Sequence, residues 1–100
     1  MGKGGGDVML LAAQYGLINV VRFMEGPQFS LNYQNAFGDG PIHYAAKGNQ
    51  TKMVLYLLHR GVNPMTQNKF NETPLFLAAE MGSLPVLNIL ARDKRTSIDH

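Results

Sequence analysis

Three histidines, His43, His59 and His100, are the residues of this sequence best suited to proton transfer or metal binding. None of them has a carboxylate at the spacing of a metal site or of a catalytic triad, and the motifs H-E-x-x-H and G-x-S-x-G do not occur. The glycines of residues 2–6 precede no predicted strand, so they do not form a phosphate-binding loop. The sequence therefore predicts a protein that is not an enzyme and that uses no metal ion or cofactor.

Basic side chains are the next candidates, because a cluster of them could bind an anionic lipid or a nucleic acid. The candidate patch consists of Arg92, Lys94 and Arg95 together with Lys52 and Arg60. However, nine Lys and Arg stand against seven Asp and Glu, and the two signs alternate along the chain. Solvated surface charge is the alternative interpretation, and a true binding patch would make binding steeply salt dependent.

Length and composition describe one small globular domain. The chain has 100 residues, of which 45% are apolar and 16% charged, as in a packed domain and unlike a disordered tail. It has no cysteine, which excludes disulfides and thiolate metal sites and favours a cytoplasmic or nuclear location. No apolar run reaches the ~18 residues that a membrane span needs. Residues 1–6, rich in glycine, are expected to form a flexible leader.

The rest of the sequence repeats with a period of 33 residues. An Ala-Ala pair recurs at Ala12-Ala13, Ala45-Ala46 and Ala78-Ala79. At the same offset Val21 corresponds to Val54 and Leu87, and Gln34-Asn35 corresponds to Gln67-Asn68. Helical segments and loops therefore repeat together, which indicates a stack of similar units rather than a chance similarity.

Residue types at fixed positions predict two helices and a turn in each unit. The first helix should be capped by Asp7, Gly40 or Thr73, and the last two of these precede a proline suited to the first helical position. It should end near Gly16, Asn49 or Gly82. Ser83 is expected to cap the second helix of the third copy, and Gly26-Pro27 should stop the first copy's second helix early. Tight turns are expected at residues 35–38 and 68–71.

Two segments, Gly40-Pro41-Ile42-His43-Tyr44-Ala45-Ala46 and Thr73-Pro74-Leu75-Phe76-Leu77-Ala78-Ala79, resemble the T-P-L-H-x-A-A pattern of the ankyrin repeat. The resemblance implies an all-α solenoid of helix-turn-helix units joined by β-hairpin-like loops. Its repeats would span 7–40, which resembles an N-terminal cap, 41–73, and an incomplete 74–100. It also gives His43 a structural position. The family's Thr to His hydrogen bond is lost, because the two residues never occur in one copy.

In the family that this sequence resembles, the hairpin tips and the exposed side of the first helices together form one concave binding face. Carried over to this sequence, that face comprises Tyr15, Phe37, Asp39, Tyr44, Lys47, Lys69, Phe70, Glu72, Leu77, Glu80 and Met81. Aromatic and methionine side chains among charges of both signs suit a protein or peptide partner. The alternative for Phe37 and Phe70 is packing onto the adjacent hairpin, which would stiffen the stack without contacting a partner.

We therefore expect a non-catalytic protein–protein interaction module, a scaffold or adaptor. The alternative is a regulatory or targeting segment of a larger enzyme or channel, because the third copy stops at His100 before another hairpin. A terminal repeat usually presents a polar outer face. The last predicted helix instead has apolar residues at Leu84, Val86, Leu87, Ile89 and Leu90. Either a further repeat or another chain should cover these residues, and self-association through the C-terminal repeat is one way to do so.

Overall fold

The computed structural model describes residues 3–96, which form six α-helices and, within that range, no β-strand. In chain order the helices are α1 (Lys3–Gln14), α2 (Ile18–Met24), α3 (Pro41–Lys47), α4 (Thr51–His59), α5 (Pro74–Glu80) and α6 (Leu84–Arg92). The expected all-α class is confirmed. Met1 and Gly2 of the expected leader, and His100, lie outside the described residues.

The starts of α3 and α5 follow from their prolines and from the residues before them. Thr73 precedes α5, and its hydroxyl oxygen accepts a hydrogen bond from the backbone N–H of Phe76 at 3.2 Å. This satisfies one of the donors that the first turn of a helix leaves without a partner. Gly40 precedes α3 and has no side chain for this role; instead its own N–H donates to the Nδ1 of His43 at 3.1 Å.

A residue in the left-handed region follows each first helix, two positions after the last helical residue. The φ angles are +73° at Gly16, +54° at Asn49 and +69° at Gly82, a conformation that suits glycine and that asparagine tolerates better than most residues. These ends agree with the sequence prediction. Ser83 does precede α6, but its buried side chain makes no capping hydrogen bond, contrary to expectation.

The first helix begins earlier than the sequence indicated, at Lys3 rather than after Asp7. Lys3 to Gly6, expected in a flexible leader, form its first turn, and Asp7 is no cap but accepts a hydrogen bond from the hydroxyl of Tyr33 at 3.4 Å. Gly5 and Gly6 lie against the rings of Phe29 and Tyr33 so closely that a β-carbon would collide with them. Contacts with these rings, which are distant in sequence, offset the low helix propensity of glycine. A local sequence pattern does not reveal such contacts.

The helices pack as two layers. Helices α1, α3 and α5 form the inner layer, and each of α2, α4 and α6 packs against the inner helix of its own repeat. Small side chains at Ala13 and Ala46, both fully buried, allow the inner helices to approach closely, whereas the equivalent Ala79 is exposed. The resulting stack measures 42 × 26 × 22 Å. None of the described helices has the length and apolarity needed to cross a bilayer.

The last helix exposes fewer apolar residues than expected. Val86 and Leu90 occupy the repeat positions of Met53 and Leu57, and all four are fully buried in the core. Including Val86 and Leu90 in an open apolar face was therefore wrong, because both belong to the interior of their own repeat. Leu84 is 68% exposed, and Leu87 and Ile89 are partly buried against the core; these three remain candidates for contact with another chain.

The two hairpin turns form where the sequence predicts them. The N–H of Gly38 donates to the carbonyl oxygen of Asn35 at 2.9 Å, and the N–H of Asn71 donates to that of Asn68 at 3.0 Å. The fourth residue of each turn is left-handed, with φ of +81° at Gly38 and +62° at Asn71. The turns therefore present their second and third residues, including Phe37 and Phe70, at the tips.

Candidate partner-binding surface

The hairpin tips are bonded to each other, which makes them one platform. The N–H of Lys69 donates to the carbonyl oxygen of Phe37 at 2.9 Å, and the Nε2 of Gln34 donates to the carbonyl oxygen of Gln67 at 3.2 Å. Within the first tip, the side-chain oxygen of Asn35 accepts from the N–H groups of Phe37 and Asp39. The aromatic rings at the tips are thus carried by hydrogen-bonded backbone.

A buried amide joins the carboxylates of the two hairpins. The Nδ2 of Asn68 donates to Asp39 at 2.9 Å and to Glu72 at 2.8 Å. Asp39 is only 6% exposed, and the Nζ of Lys47 lies 3.7 Å from its second oxygen. We expected Asp39 on the open face; it is buried because a carboxylate between two hairpins is stabilised by these partners. Its structural role is to link the two hairpins.

His43 also contacts both hairpins and has a structural position, as the resemblance implied. Because its Nδ1 accepts the hydrogen bond from Gly40, the proton of the neutral ring is on Nε2, which donates to the carbonyl oxygen of Glu72 at 3.0 Å. Burial of the ring lowers the pKa of His43, since the charged form would lose its water. Both nitrogens are occupied, and the part of the chain that the structure describes has no cluster of side chains able to hold a metal ion.

Four apolar side chains of the expected face are more than half exposed. Phe37 is 59% exposed, Phe70 66%, Tyr15 66% and Met81 58%. Tyr15 and Met81 hold the same repeat position, directly after α1 and α5. The second repeat has Gly48 there, where a β-carbon would collide with the backbone of Gln14. Of these four side chains, one therefore lies at each end of the stack and two lie at the hairpin tips.

Tyr44 and Lys47 form a small cluster between these groups. The ammonium group of Lys47 lies 5.1 Å from the centre of the Tyr44 ring, within the range of a cation–π contact. The Tyr44 hydroxyl accepts a hydrogen bond from the Nδ2 of Asn35 at 3.4 Å. Tyr44 is partly buried, and its hydroxyl contacts the first hairpin through Asn35.

Leu77 does not belong to the open face. We expected it to be exposed because it aligns with Tyr44, but its side chain is only 3% exposed. A leucine has no polar tip to remain in water, and burying it removes hydrocarbon from solvent. The other charged members of the face are accessible: Lys69 and Glu80 are exposed, and Glu72 is partly buried.

Three apolar residues that the sequence analysis missed are about half exposed on the inner helices: Val8, Leu11 and Phe76. Leu11 aligns with Tyr44, so the repeat frame could have identified it. Phe76 aligns with His43, which is buried, so the repeat alignment indicates burial for Phe76, whereas its side chain is half exposed. We define the inner face by Val8, Leu11, Tyr15, Phe37, Tyr44, Lys47, Lys69, Phe70, Phe76, Glu80 and Met81.

The candidate basic patch is on the other side of the stack, and two of its five members are already paired. Arg60 forms an ion pair with Glu25, and Arg95 forms one with Asp93 at 2.9 Å. Arg95 also donates to the carbonyl oxygens of Leu58 and Val62, at 3.1 and 3.2 Å. Its guanidinium is therefore held by the protein itself.

Comparison with known proteins agrees with the repeat pattern. A family model described as ankyrin repeats in three copies matches residues 9–100. The chain is similar to the NF-kappa-B inhibitor alpha of Sus scrofa, with 34% identity over 83 residues, and to that of Homo sapiens, with 33% identity over 79 residues. These matches cover 83% and 79% of this chain.

A third relative is the ankyrin repeat domain-containing protein 37 of Xenopus tropicalis, which is 39% identical over 62 residues, or 61% of this chain and 38% of the relative. The chain spans only 26% and 25% of the two inhibitors' lengths. The similarity therefore concerns the repeats and not the whole of those proteins.

Proposed function

Because this chain belongs to the ankyrin-repeat family, a family of protein–protein interaction modules, we propose that it is a non-catalytic scaffold or adaptor that binds a partner protein on its inner face. The partner would be held as a segment along the concave side of the stack, by the hairpin tips and the inner helices. The observation that carries the proposal is the exposure of Tyr15, Phe37, Phe70 and Met81 on a hydrogen-bonded framework.

Rigidity is what makes these side chains suitable anchors. Aromatic and methionine residues contribute strongly to binding when they are held in place before the partner arrives, because little conformational freedom is then lost. The backbone bond between Phe37 and Lys69 holds the tips together within the chain itself. Exposure above half for both phenylalanines favours partner contact over the alternative of packing onto the next hairpin.

The charges of the inner face favour a protein partner over a nucleic acid. Lys47, Lys69 and Glu80 all belong to the inner face, so both signs occur within the same surface. Phosphate backbones are bound by surfaces of one sign, whereas mixed charges orient a protein segment. Two relatives carry the name of an inhibitor, which fits a role exercised by binding. The lack of cysteine supports a cytoplasmic or nuclear location.

The test is selection of a phage-displayed library of random peptides on the immobilised chain. Peptides bound by the inner face should lose about tenfold or more in affinity with Phe70→Ala or Tyr15→Ala, as expected for anchor residues. Phe23→Ala is the matched control, because Phe23 is 87% exposed on α2, in the other layer. The proposal fails if every enriched peptide binds Phe70→Ala and Tyr15→Ala as tightly as the unaltered chain.

A further inference from the structure

A second surface with binding features lies on the outer layer, between α4 and α6. It is an open groove of about 480 Å³. Its apolar lining comes from Leu55, Leu58 and Ile89. Its polar lining comes from His59, Arg92 and Arg95 and from one carboxylate, Asp93, which is paired with Arg95. It shares no residue with the inner face defined above.

The equivalent position between α2 and α4 shows how this fold can close such a groove. Glu25 stands there at the repeat position of Leu58, and Tyr56 at that of Ile89. The Tyr56 hydroxyl donates to Glu25 at 3.1 Å, and Arg60 donates to the same carboxylate. A bonded polar network thus joins the first two outer helices. The second groove has leucine and isoleucine at those two positions, so this network cannot form.

Leu55 is the most informative residue of the groove. It is 51% exposed, and the first and third repeats have the polar residues Arg22 and Asn88 at its position. The fold therefore does not require a hydrophobic side chain there. Leu55 lines the groove together with Leu58 and Ile89, and a contiguous apolar patch rimmed by polar residues is typical of a binding groove.

Charge is distributed unevenly between the two layers. The outer helices and the residues directly after them carry two carboxylates, Glu25 and Asp93, against six basic groups: Arg22, Lys52, Arg60, Arg92, Lys94 and Arg95. Both of those carboxylates are in ion pairs, with Arg60 and Arg95. Among the described residues, the outer layer therefore carries a net positive charge.

From this juxtaposition we propose that the α4–α6 groove is a second docking site, and that its occupant is an acidic segment of a partner protein carrying an apolar side chain. The apolar side chain lies on Leu55 and Ile89, and a flanking carboxylate faces Arg92. Arg95 lines one side of the groove in a fixed position, because its guanidinium already donates hydrogen bonds to the carbonyl oxygens of Leu58 and Val62. A phosphate backbone or a lipid headgroup would match the charge but not the hydrocarbon of the groove.

The test uses the same type of random peptide library, selected on the full chain and counter-selected on Leu55→Arg. This variant has the residue that the first repeat carries at this position, so it should fold; its thermal unfolding is measured to confirm that. Peptides that depend on the groove should be acidic, should contain a large apolar residue and should bind Leu55→Arg and Arg92→Glu about tenfold or more weakly. They should bind Tyr15→Ala and Phe70→Ala unchanged, which separates this site from the inner face.

Arg22→Glu is the matched control, because Arg22 is an exposed arginine of the outer layer outside the groove. Equal weakening by Arg22→Glu and Arg92→Glu, with Leu55→Arg binding unchanged, would contradict the proposal and indicate charge attraction alone. The proposal also fails if single-stranded DNA or vesicles rich in phosphatidylserine compete with every enriched peptide, or if no enriched peptide distinguishes Leu55→Arg from the unaltered chain.

Discussion

The Nε2 of His43 lies 3.0 Å from the carbonyl oxygen of Glu72, so that a side chain of α3 is hydrogen bonded to the backbone of the second hairpin. The other ring nitrogen accepts from the N–H of Gly40 at 3.1 Å. A protonated ring could not accept that bond, because both of its nitrogens would be donors. The bond from Gly40 therefore requires a neutral histidine, whereas a protonated ring could still donate to Glu72.

This dependence predicts how stability changes with pH. Burial lowers the pKa of His43 in the folded chain below its ordinary value, so the unfolded chain binds more protons between the two pKa values. The free energy of unfolding should be highest above about pH 6.5 and should fall as the pH drops below that value. Urea titrations at a series of pH values measure this change.

The variants His43→Gln and His59→Gln assign the effect to one histidine. His43→Gln cannot titrate near neutral pH, so the free energy of unfolding should depend less on pH in that window, whatever its absolute value. His59 is exposed, and His59→Gln should keep the slope of the unaltered chain. Identical slopes for the unaltered chain and His43→Gln would contradict the link between this ring and stability.

Close approach of the inner helices predicts that the same substitution, alanine to leucine, destabilises one repeat much more than another. Ala46 is fully buried, whereas Ala79, its equivalent, is exposed. Ala46→Leu should lower the free energy of unfolding by about 1–3 kcal/mol or more, because a larger side chain overpacks the interface. Ala79→Leu should change it by about 0.5 kcal/mol or less. Chemical denaturation of both variants checks this, and equal destabilisation would show that the two positions are packed alike.

The exposed side of α6 predicts self-association. Leu84 is 68% exposed and borders a shallow groove with Leu87, an arrangement that a second copy of the chain could cover. Sedimentation equilibrium over a concentration series should show an apparent mass that rises with concentration. Leu84→Thr, which introduces the residue found at Thr51 of the second repeat, should shift the chain towards the monomer.

Leu17→Thr is the control for self-association, because Leu17 is half exposed near the opposite end of the stack and should not affect it. A monomer at every concentration would contradict this prediction. The inner face would then be the apolar surface that needs a partner.

Features set by local chemistry could be predicted from the sequence. Pro41 and Pro74 start helices because proline suits the first helical position, and Asn49 ends one because its own backbone tolerates a left-handed turn. The turns at Asn35 and Asn68 follow from the same reasoning. Each of these outcomes depends on a few adjacent residues, and the 33-residue period then gave their order in space.

Features that depend on contacts between repeats could not be predicted in this way. Asp39 was expected in water and is buried, because an amide from the next hairpin reaches it. Phe76 shares the repeat position of His43 but is half exposed. The start of α1 depends on rings more than twenty residues away, at Phe29 and Tyr33. A repeat pattern assigns equivalent positions, but it does not assign equivalent neighbours.

The amide of Asn68 provides the sharpest test of these inter-repeat contacts. Its Nδ2 donates to Asp39 and Glu72, while the oxygen accepts from the N–H groups of Phe70 and Glu72, at 2.9 Å in both cases. Asn68→Asp keeps the accepting oxygen but replaces the Nδ2 donor with a carboxylate oxygen. That oxygen would face the carboxylates of Asp39 and Glu72. We expect the free energy of unfolding at neutral pH to fall by about 2–3 kcal/mol, as for a buried polar contact that is lost.

Asn35→Asp makes the same change one repeat earlier, where the Nδ2 donates only weakly to the Tyr44 hydroxyl at 3.4 Å and meets no carboxylate. The loss there should stay below about 1 kcal/mol, as for a single weak hydrogen bond. Lowering the pH should reduce the difference between the two variants, because protonated carboxyl groups no longer repel and can donate. Urea denaturation at neutral and acidic pH measures both effects. Equal destabilisation by the two substitutions would mean that the turn geometry, and not the bridge from Asp39 to Glu72, is what Asn68 supplies.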